Sequence, residues 1–323
     1  METANNLEIV HDVFPYLQVY KNGTIKRLVG TEFTAATYDP QTGVSSKDVS
    51  VNPKTGISAR IYRPNSSTKG KKLPLVVYFH GGAFCISSVA DPKYHDSLNV
   101  FVSKANVVLV SVDYRLAPEH PLPAAYDDSW SVLKWVAAHN SKQGSEVWLK
   151  ELVDFDSVFL AGDSAGANIS HFTAIRAGES DEGNLLGVKI SGMVMICPYF
   201  WGEEPIGIEI QDPVRKSMVD KWWEFVCPSN KGNNDPLINP FVDEAPNLEG
   251  VACDRVLVCV AEMDILRDRG ILYYESLMKS QWKGKVEMIE TKGEDHVFHI
   301  FNPNSEKALD LVKIWAAFIN EKN

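Results

Sequence analysis

Leu75-Val76-Val77-Tyr78-Phe79 is apolar at every position. A strand with one wet face alternates apolar and polar residues, so a run like this must be covered on both faces. Comparable runs recur at residues 107–112, 158–160, 193–196 and 256–260, with a weaker one at 286–289. Helical patterns lie between them. Residues 126–138 bring Trp130, Leu133, Trp135 and Val136 near one face, and 165–177, 271–278 and 308–319 complete the set. Doubly covered strands alternating with helices predict an α/β fold with a mostly parallel central sheet and helices on both faces.

Two segments escape that alternation: the region up to about residue 45, and residues 199–241, rich in Trp, Pro and Gly. Open α/β sheets bind ligands beyond the carboxyl ends of their strands. An insertion after the fourth strand can fold over that edge, so the two segments are expected to form a small cap, and residues 1–323 a single domain. The formal net charge is −10 and there is no Lys/Arg block, which argues against nucleic acid as a partner. No run approaches the ~20 apolar residues of a membrane span. The first 20 residues have neither a basic stretch nor an uninterrupted apolar one, so no signal peptide is expected. The five cysteines are scattered without a C-x-x-C pair, which fits reduced thiols and a cytoplasmic location.

Gly162-Asp163-Ser164-Ala165-Gly166 follows the run at 158–160 and opens the helical pattern at 165. A sharp strand-turn-helix lifts a serine hydroxyl above the sheet, and the small residues on either side relieve the crowding. Taken alone, the stretch also suits a Gly-rich turn with a solvated serine. Its neighbours favour a nucleophile. His80-Gly81-Gly82-Ala83-Phe84 directly follows a strand, so the Gly81 and Gly82 amides could meet a substrate oxygen, with the Ala165 amide as third donor of an oxyanion hole. His80 is expected to orient that loop, and Asp163 to serve the turn. Asp264 follows the strand at 256–260 and His296 follows that at 286–289, which suits an acid and a base in the order Ser, acid, His. Glu262 and Asp268 compete with Asp264, and His299 competes with His296. No His-x-x-x-His zinc pattern and no Gly-x-Gly-x-x-Gly after a strand occurs, so no metal or other cofactor is implied.

Together, His80-Gly81-Gly82-Ala83-Phe84, Asp113-Tyr114-Arg115-Leu116-Ala117-Pro118-Glu119-His120, Gly162-Asp163-Ser164-Ala165-Gly166-Ala167-Asn168 and Asp295-His296-Val297-Phe298-His299 resemble the plant carboxylesterases of the hormone-sensitive-lipase group. Residues 39–49 are similar as well, so the likeness runs along nearly the whole chain. It implies an α/β-hydrolase fold with an N-terminal cap. It also implies Ser164, Asp264 and His296 as a catalytic triad and Gly81, Gly82 and Ala165 as oxyanion donors. The expected activity is hydrolysis of a small-molecule ester of plant specialised metabolism. The group also includes dehydratases such as the 2-hydroxyisoflavanone dehydratases, and enzymes of alkaloid intermediates, so elimination or cyclisation is the alternative. The related gibberellin receptors have lost the triad histidine, which this chain keeps as His296. Phe84, Trp201, Trp222, Trp223 and Val297 are candidate substrate contacts, although the aromatics would equally pack a cap against the sheet. Glu203 and Glu204 either face a cationic substrate or are solvated.

Overall fold

The computed structural model describes residues 8–65, 70–179, 185 and 187–321. Among the described residues, twelve strands form two sheets. β1 (Ile9–Val13), β2 (Leu17–Tyr20) and β3 (Ile25–Arg27) make a small antiparallel sheet in chain order. The central sheet has nine strands: β4 (Tyr38–Asp39), β5 (Val44–Asn52), β6 (Ile57–Pro64), β7 (Leu73–Phe79), β8 (Val108–Asp113), β9 (Val153–Asp163), β10 (Ile190–Ile196), β11 (Arg255–Ala261) and β12 (Lys285–Thr291). Their order across the sheet is β12-β11-β10-β9-β7-β8-β6-β5-β4. From β8 to β12 all neighbours are parallel, while β6, β5 and β4 close one edge antiparallel.

The fully apolar runs are explained by the packing. Alternate residues of a strand point to opposite faces. Leu75, Val77 and Phe79 of β7 and Val158 and Leu160 of β9 join one core, and Val76, Tyr78, Phe159 and Ala161 join the other. The first core is covered by α2 (Ala124–Ala138), α4 (Ala165–Glu179) and α7 (Arg267–Lys279), with α3 (Val147–Leu152) contributing Leu149. The second is covered by α1 (Pro92–Ala105) and the C-terminal α9 (Glu306–Asn320), which presents Leu311, Val312, Trp315 and Phe318. Among the described residues, no helix is long and apolar enough to cross a membrane.

The sequence reading missed α1, β5 and β6. Pro92 opens α1 and Asp91 caps it by accepting from the Lys93 amide. The expected cap divides differently from its drawn boundary. Residues 38–45 already belong to the central sheet through β4 and β5, because Tyr38 and Asp39 pair with Ser45 and Val44. Only the β1–β3 sheet and the stretch after it stand apart, and residues 1–7 lie outside the described residues. In the second segment, α5 (Ile208–Gln211) and α6 (Pro213–Val226) interrupt the alternation. The two segments pack on each other through Tyr16 on Trp222, with ring centroids 4.8 Å apart, and His11 on Phe225, 5.7 Å apart.

Candidate active site

Because β7, β9, β11 and β12 run parallel, the loops that follow them emerge at one edge. Ser164 follows β9, Asp264 follows β11, His296 follows β12, and the 80–84 loop follows β7. Ser164 takes a left-handed backbone conformation, φ 52°, which strains a residue with a Cβ by roughly 1–3 kcal/mol. Flanking bonds hold it: the Ser164 amide donates to the Ile196 carbonyl at 2.8 Å, and the Tyr199 amide donates to the Ser164 carbonyl at 3.0 Å. The glycines are required by contact. A side chain on Gly166 would run into the Phe79 carbonyl, and one on Gly162 would lie 2.7 Å from the same oxygen.

Three expected residues form one hydrogen-bonded chain. His296 Nδ1 lies 2.8 Å from Asp264 Oδ2, and His296 Nε2 lies 3.0 Å from Ser164 Oγ. A carboxylate only accepts, so the proton sits on Nδ1 and leaves Nε2 to accept from the serine hydroxyl. Asp264 is fully buried and its second oxygen accepts from the Leu266 amide at 2.9 Å. Burial works to lower the His296 pKa, but the charge and hydrogen bond of Asp264, with smaller contributions from the Asp163 and Asp295 charges, outweigh it and raise the pKa above its ordinary value. The Cys197 thiol lies beside this chain, its Sγ within 4.8 Å of an Asp264 carboxylate oxygen and a His296 ring nitrogen. Burial first, and then the Asp264 charge, push its pKa well up, so it stays a protonated donor.

The competitors are occupied elsewhere. Glu262 accepts from the Gly293 amide, and Asp268, in the first turn of α7, accepts from the Ile208 amide of α5. His299 is buried in the short helix α8 (Phe298–Phe301), edge-on to Trp315, and burial pushes its pKa down to about 3.

The oxyanion loop corrects one expectation. The Gly81 amide already donates to the Tyr94 hydroxyl at 2.8 Å and to Asp163 Oδ1 at 3.2 Å. It points into the protein, where a Cβ would meet Tyr94 Oη at 2.9 Å. The next two residues turn the chain over, with φ 102° at Gly82 and 49° at Ala83. The amides of Gly82, Ala83 and Ala165 find no acceptor among the described residues. The available donors beside Ser164 are therefore Gly82, Ala83 and Ala165, not Gly81. His80 orients the loop as expected: it is buried, stacks on Tyr114 with centroids 4.3 Å apart, and sets Nδ1 2.7 Å from the Gly81 carbonyl. Asp163 does more than shape the turn, since it accepts from Tyr78 and Tyr94, each at 2.7 Å, beneath the loop.

Two cavities meet at Ser164 and His296. The smaller, about 160 Å³, is bounded by Tyr199, Met218, Val219, Trp222, Ile265 and Leu266. The larger, about 530 Å³, is bounded by Val29, Ile86, Lys93, Val297, Ile300 and Phe301 among others. Of the expected substrate contacts, Trp222 and Val297 line a cavity. Phe84, Trp201 and Trp223 do not: all three are core residues, and the Trp201 indole donates to Asp220. Glu203 binds Asn234 at the surface, the Glu204 carbonyl accepts from Arg269, and neither glutamate borders either of these two cavities. Tyr16 and Arg215 border both cavities and were missed, because both lie in the segments outside the α/β alternation, where the sequence reading had assigned no elements.

A strand-turn-helix serine, backed by an imidazole and a buried carboxylate at one edge of a parallel sheet, is the arrangement of a hydrolase with a serine nucleophile. Comparison with known proteins agrees. A family model described as the alpha/beta hydrolase fold matches residues 76–300. The chain is 58% identical over 310 residues to the "Probable carboxylesterase 2" of Arabidopsis thaliana, covering 96% of each. It is 44% identical over 324 residues to a 2-hydroxyisoflavanone dehydratase of Glycyrrhiza echinata, covering 98% of each. Among solved structures, a hyperthermophilic esterase of the archaeon Pyrobaculum calidifontis superposes with a TM-score of 0.69 at 32% identity, over 85% of this chain and 84% of that one. The protein belongs to the alpha/beta-hydrolase family.

Proposed function

We propose that the protein is a serine carboxylesterase that hydrolyses a small-molecule ester of plant specialised metabolism through an acyl-enzyme. The observation that carries this reading is the Ser164–His296–Asp264 chain, at 3.0 and 2.8 Å, facing three unengaged amides. His296 Nε2 takes the Ser164 proton as Oγ attacks the ester carbonyl carbon. Negative charge grows on the carbonyl oxygen and is met by the Gly82, Ala83 and Ala165 amides, each such donor worth about 3 kcal/mol of barrier. Asp264 stabilises the imidazolium and fixes its tautomer. His296 then hands the proton to the departing alcohol. In the second half it activates a water that attacks the acyl carbon, and Ser164 is regenerated as the carboxylic acid leaves.

The cavities suggest the kind of ester. A dry cavity near 150 Å³ accommodates a benzene-sized group, so the smaller one suits an acyl part of roughly that size or less. The larger one is in the range that receives a whole small molecule. It also carries the His296 loop, which the departing oxygen must meet, so the bulkier alcohol belongs there. In this reading the β1–β3 sheet and residues 199–241 act as the cap.

The relative named as a dehydratase supports a second reading. The same imidazole could abstract a proton α to a carbonyl while the amides hold the enolate. Hydrolysis of short-chain p-nitrophenyl esters by wild type and Ser164→Ala decides between them. The esterase reading expects a burst of p-nitrophenol and a loss of at least ~10⁴-fold in kcat in the variant. It is abandoned if wild type fails to turn these esters over.

A further inference from the structure

Arg215 is the third residue of α6, in the inserted segment. The helix start is fixed there, since Asp212 caps it by accepting from the Arg215 amide at 2.9 Å. The guanidinium leaves the helix toward the site and makes two bonds. Nη1 donates to the Met263 carbonyl at 3.1 Å, and Nη2 donates to Asp295 Oδ1 at 3.0 Å. Met263 and Asp295 are the residues immediately before Asp264 and His296. The same Asp295 oxygen also accepts from the His296 amide at 2.7 Å. Underneath, the Met263 amide donates to the Glu294 carbonyl at 2.9 Å, joining the two loops main chain to main chain. Directly after His296, Val297 is held at φ 46°, a conformation a β-branched residue adopts only under constraint.

We propose that Arg215 is a positioning residue: one side chain from the covering helix clamps the Asp264 loop to the His296 loop and sets the imidazole against Ser164. The clamp rests on the esterase reading above. Magnitudes separate it from a stabilising role. The Arg215 and Asp295 side chains are 36% and 54% exposed, and a pair that open contributes about 0–1 kcal/mol to stability. Misplacing a catalytic group by an ångström, in contrast, costs ~10²-fold in rate. A planar fork can hold two acceptors at once, which an ammonium cannot do in a fixed geometry. Arg215 also borders both cavities, so the alternative role is direct contact with an anionic substrate.

The test compares wild type with Arg215→Met, Arg215→Lys, Asp295→Ala and the Met/Ala double variant. The readouts are p-nitrophenyl acetate kinetics, the rate at which a fluorophosphonate captures Ser164, and the melting temperature. For Arg215→Met the clamp expects kcat to fall roughly 10- to 100-fold with KM within about 3-fold. The capture rate should fall in parallel while the melting temperature stays near wild type. Arg215→Lys should recover part of the loss. The double variant should be no slower than the slower single variant, since both remove one connection. Uncovering the Asp295 carboxylate beside His296 should also move the acid limb of kcat/KM to higher pH. Unchanged kcat and capture in Arg215→Met would overturn the clamp, as would a change confined to KM or additive losses in the double variant. If wild type itself is not captured, the nucleophile and the clamp fall together. If wild type is captured and Arg215→Met matches it, only the clamp falls.

Discussion

Tyr94→Phe deletes a single oxygen from beneath the oxyanion loop. Its hydroxyl donates to Asp163 Oδ2 at 2.7 Å and accepts from the Gly81 amide at 2.8 Å. Asp163 is fully buried, and its other donors are the Tyr78 hydroxyl at 2.7 Å and the Gly81 amide at 3.2 Å. Losing a hydrogen bond to a charged buried group costs about 1.5–3 kcal/mol, against about 0.5–1.5 when the group is neutral. With an unfolding entropy near 2.1 cal/mol/K per residue, 323 residues give roughly 0.7 kcal/mol/K, so the charged case lowers the melting temperature by about 2–4 °C. The sign of the pH dependence follows from Asp163 itself. Burial pushes its pKa up, the two tyrosine hydroxyls pull it down, and the net shift is upward. A carboxyl raised in the folded state binds more protons folded than unfolded, so stability falls as pH rises from the ordinary Asp range through the folded value. Removing the Tyr94 donor raises the folded value further. The gap between wild type and Tyr94→Phe should therefore be small in acid and grow by roughly 1 kcal/mol as pH rises through the folded Asp163 pKa. Urea denaturation of both proteins across that range measures it. A gap that stays constant with pH, or shrinks as pH rises, would refute a charged Asp163 held by Tyr94.

Two further outcomes follow from the site. The ester-cleaving form needs neutral His296, so kcat/KM should drop as pH falls through the His296 pKa, which Asp264 raises above the ordinary histidine value; a pH–rate profile with its acid midpoint below that of a free imidazole would contradict the assignment. Trp222→Ala enlarges the smaller cavity, so the preferred p-nitrophenyl ester should shift to longer acyl chains, and an unchanged chain-length profile would place the acyl group elsewhere.

The central sheet was legible because doubly covered strands leave a distinct mark. β7, β8, β10 and β11 are apolar runs found within a few residues of their ends, whereas β9 was read only over Val158–Leu160, because Asp154 and Asp156 break the apolar pattern of its first half. β6 is buried almost throughout but was missed because Ser58, Arg60 and Arg63 interrupt its apolar residues, and β5 was missed for the opposite reason. β5 reads Val-Ser-Ser-Lys-Asp-Val-Ser-Val-Asn, an edge-side strand whose outer positions meet water. Ser164, Asp264 and His296 could be placed because each follows a strand that could itself be read. The Gly81 expectation failed on a question of backbone direction: both glycines looked equally free, but the buried Asp163 and Tyr94 claim the first amide, and the turn at Gly82 exposes the next two. The tryptophans failed on register. Trp222 and Trp223 are adjacent on α6, so they point about 100° apart, and one side chain reaches the cavity while the other joins the core.

The sheet determines only where the reacting groups begin, at the carboxyl ends of β7, β9, β11 and β12. Alignment of those groups depends on contacts between loops, and both segments outside the α/β alternation supply them through arginine. Arg27, at the end of β3, donates through Nε to the Cys85 carbonyl at 2.8 Å and through Nη2 to the Ala117 carbonyl at 3.1 Å, while pairing with Glu119. Cys85 is two residues beyond Ala83, so the N-terminal sheet holds the far end of the loop whose amides face Ser164. Arg215 does the corresponding work from α6 on the loops of Asp264 and His296. The same two segments provide Tyr16, Met218, Val219 and Trp222 to the smaller cavity. The elements that shape the cavities are therefore the elements that hold the reacting loops. A substitution in α6 that changes which ester is preferred cannot be read from KM alone, because the helix that borders both cavities also bonds, through Arg215, to the loops of Asp264 and His296.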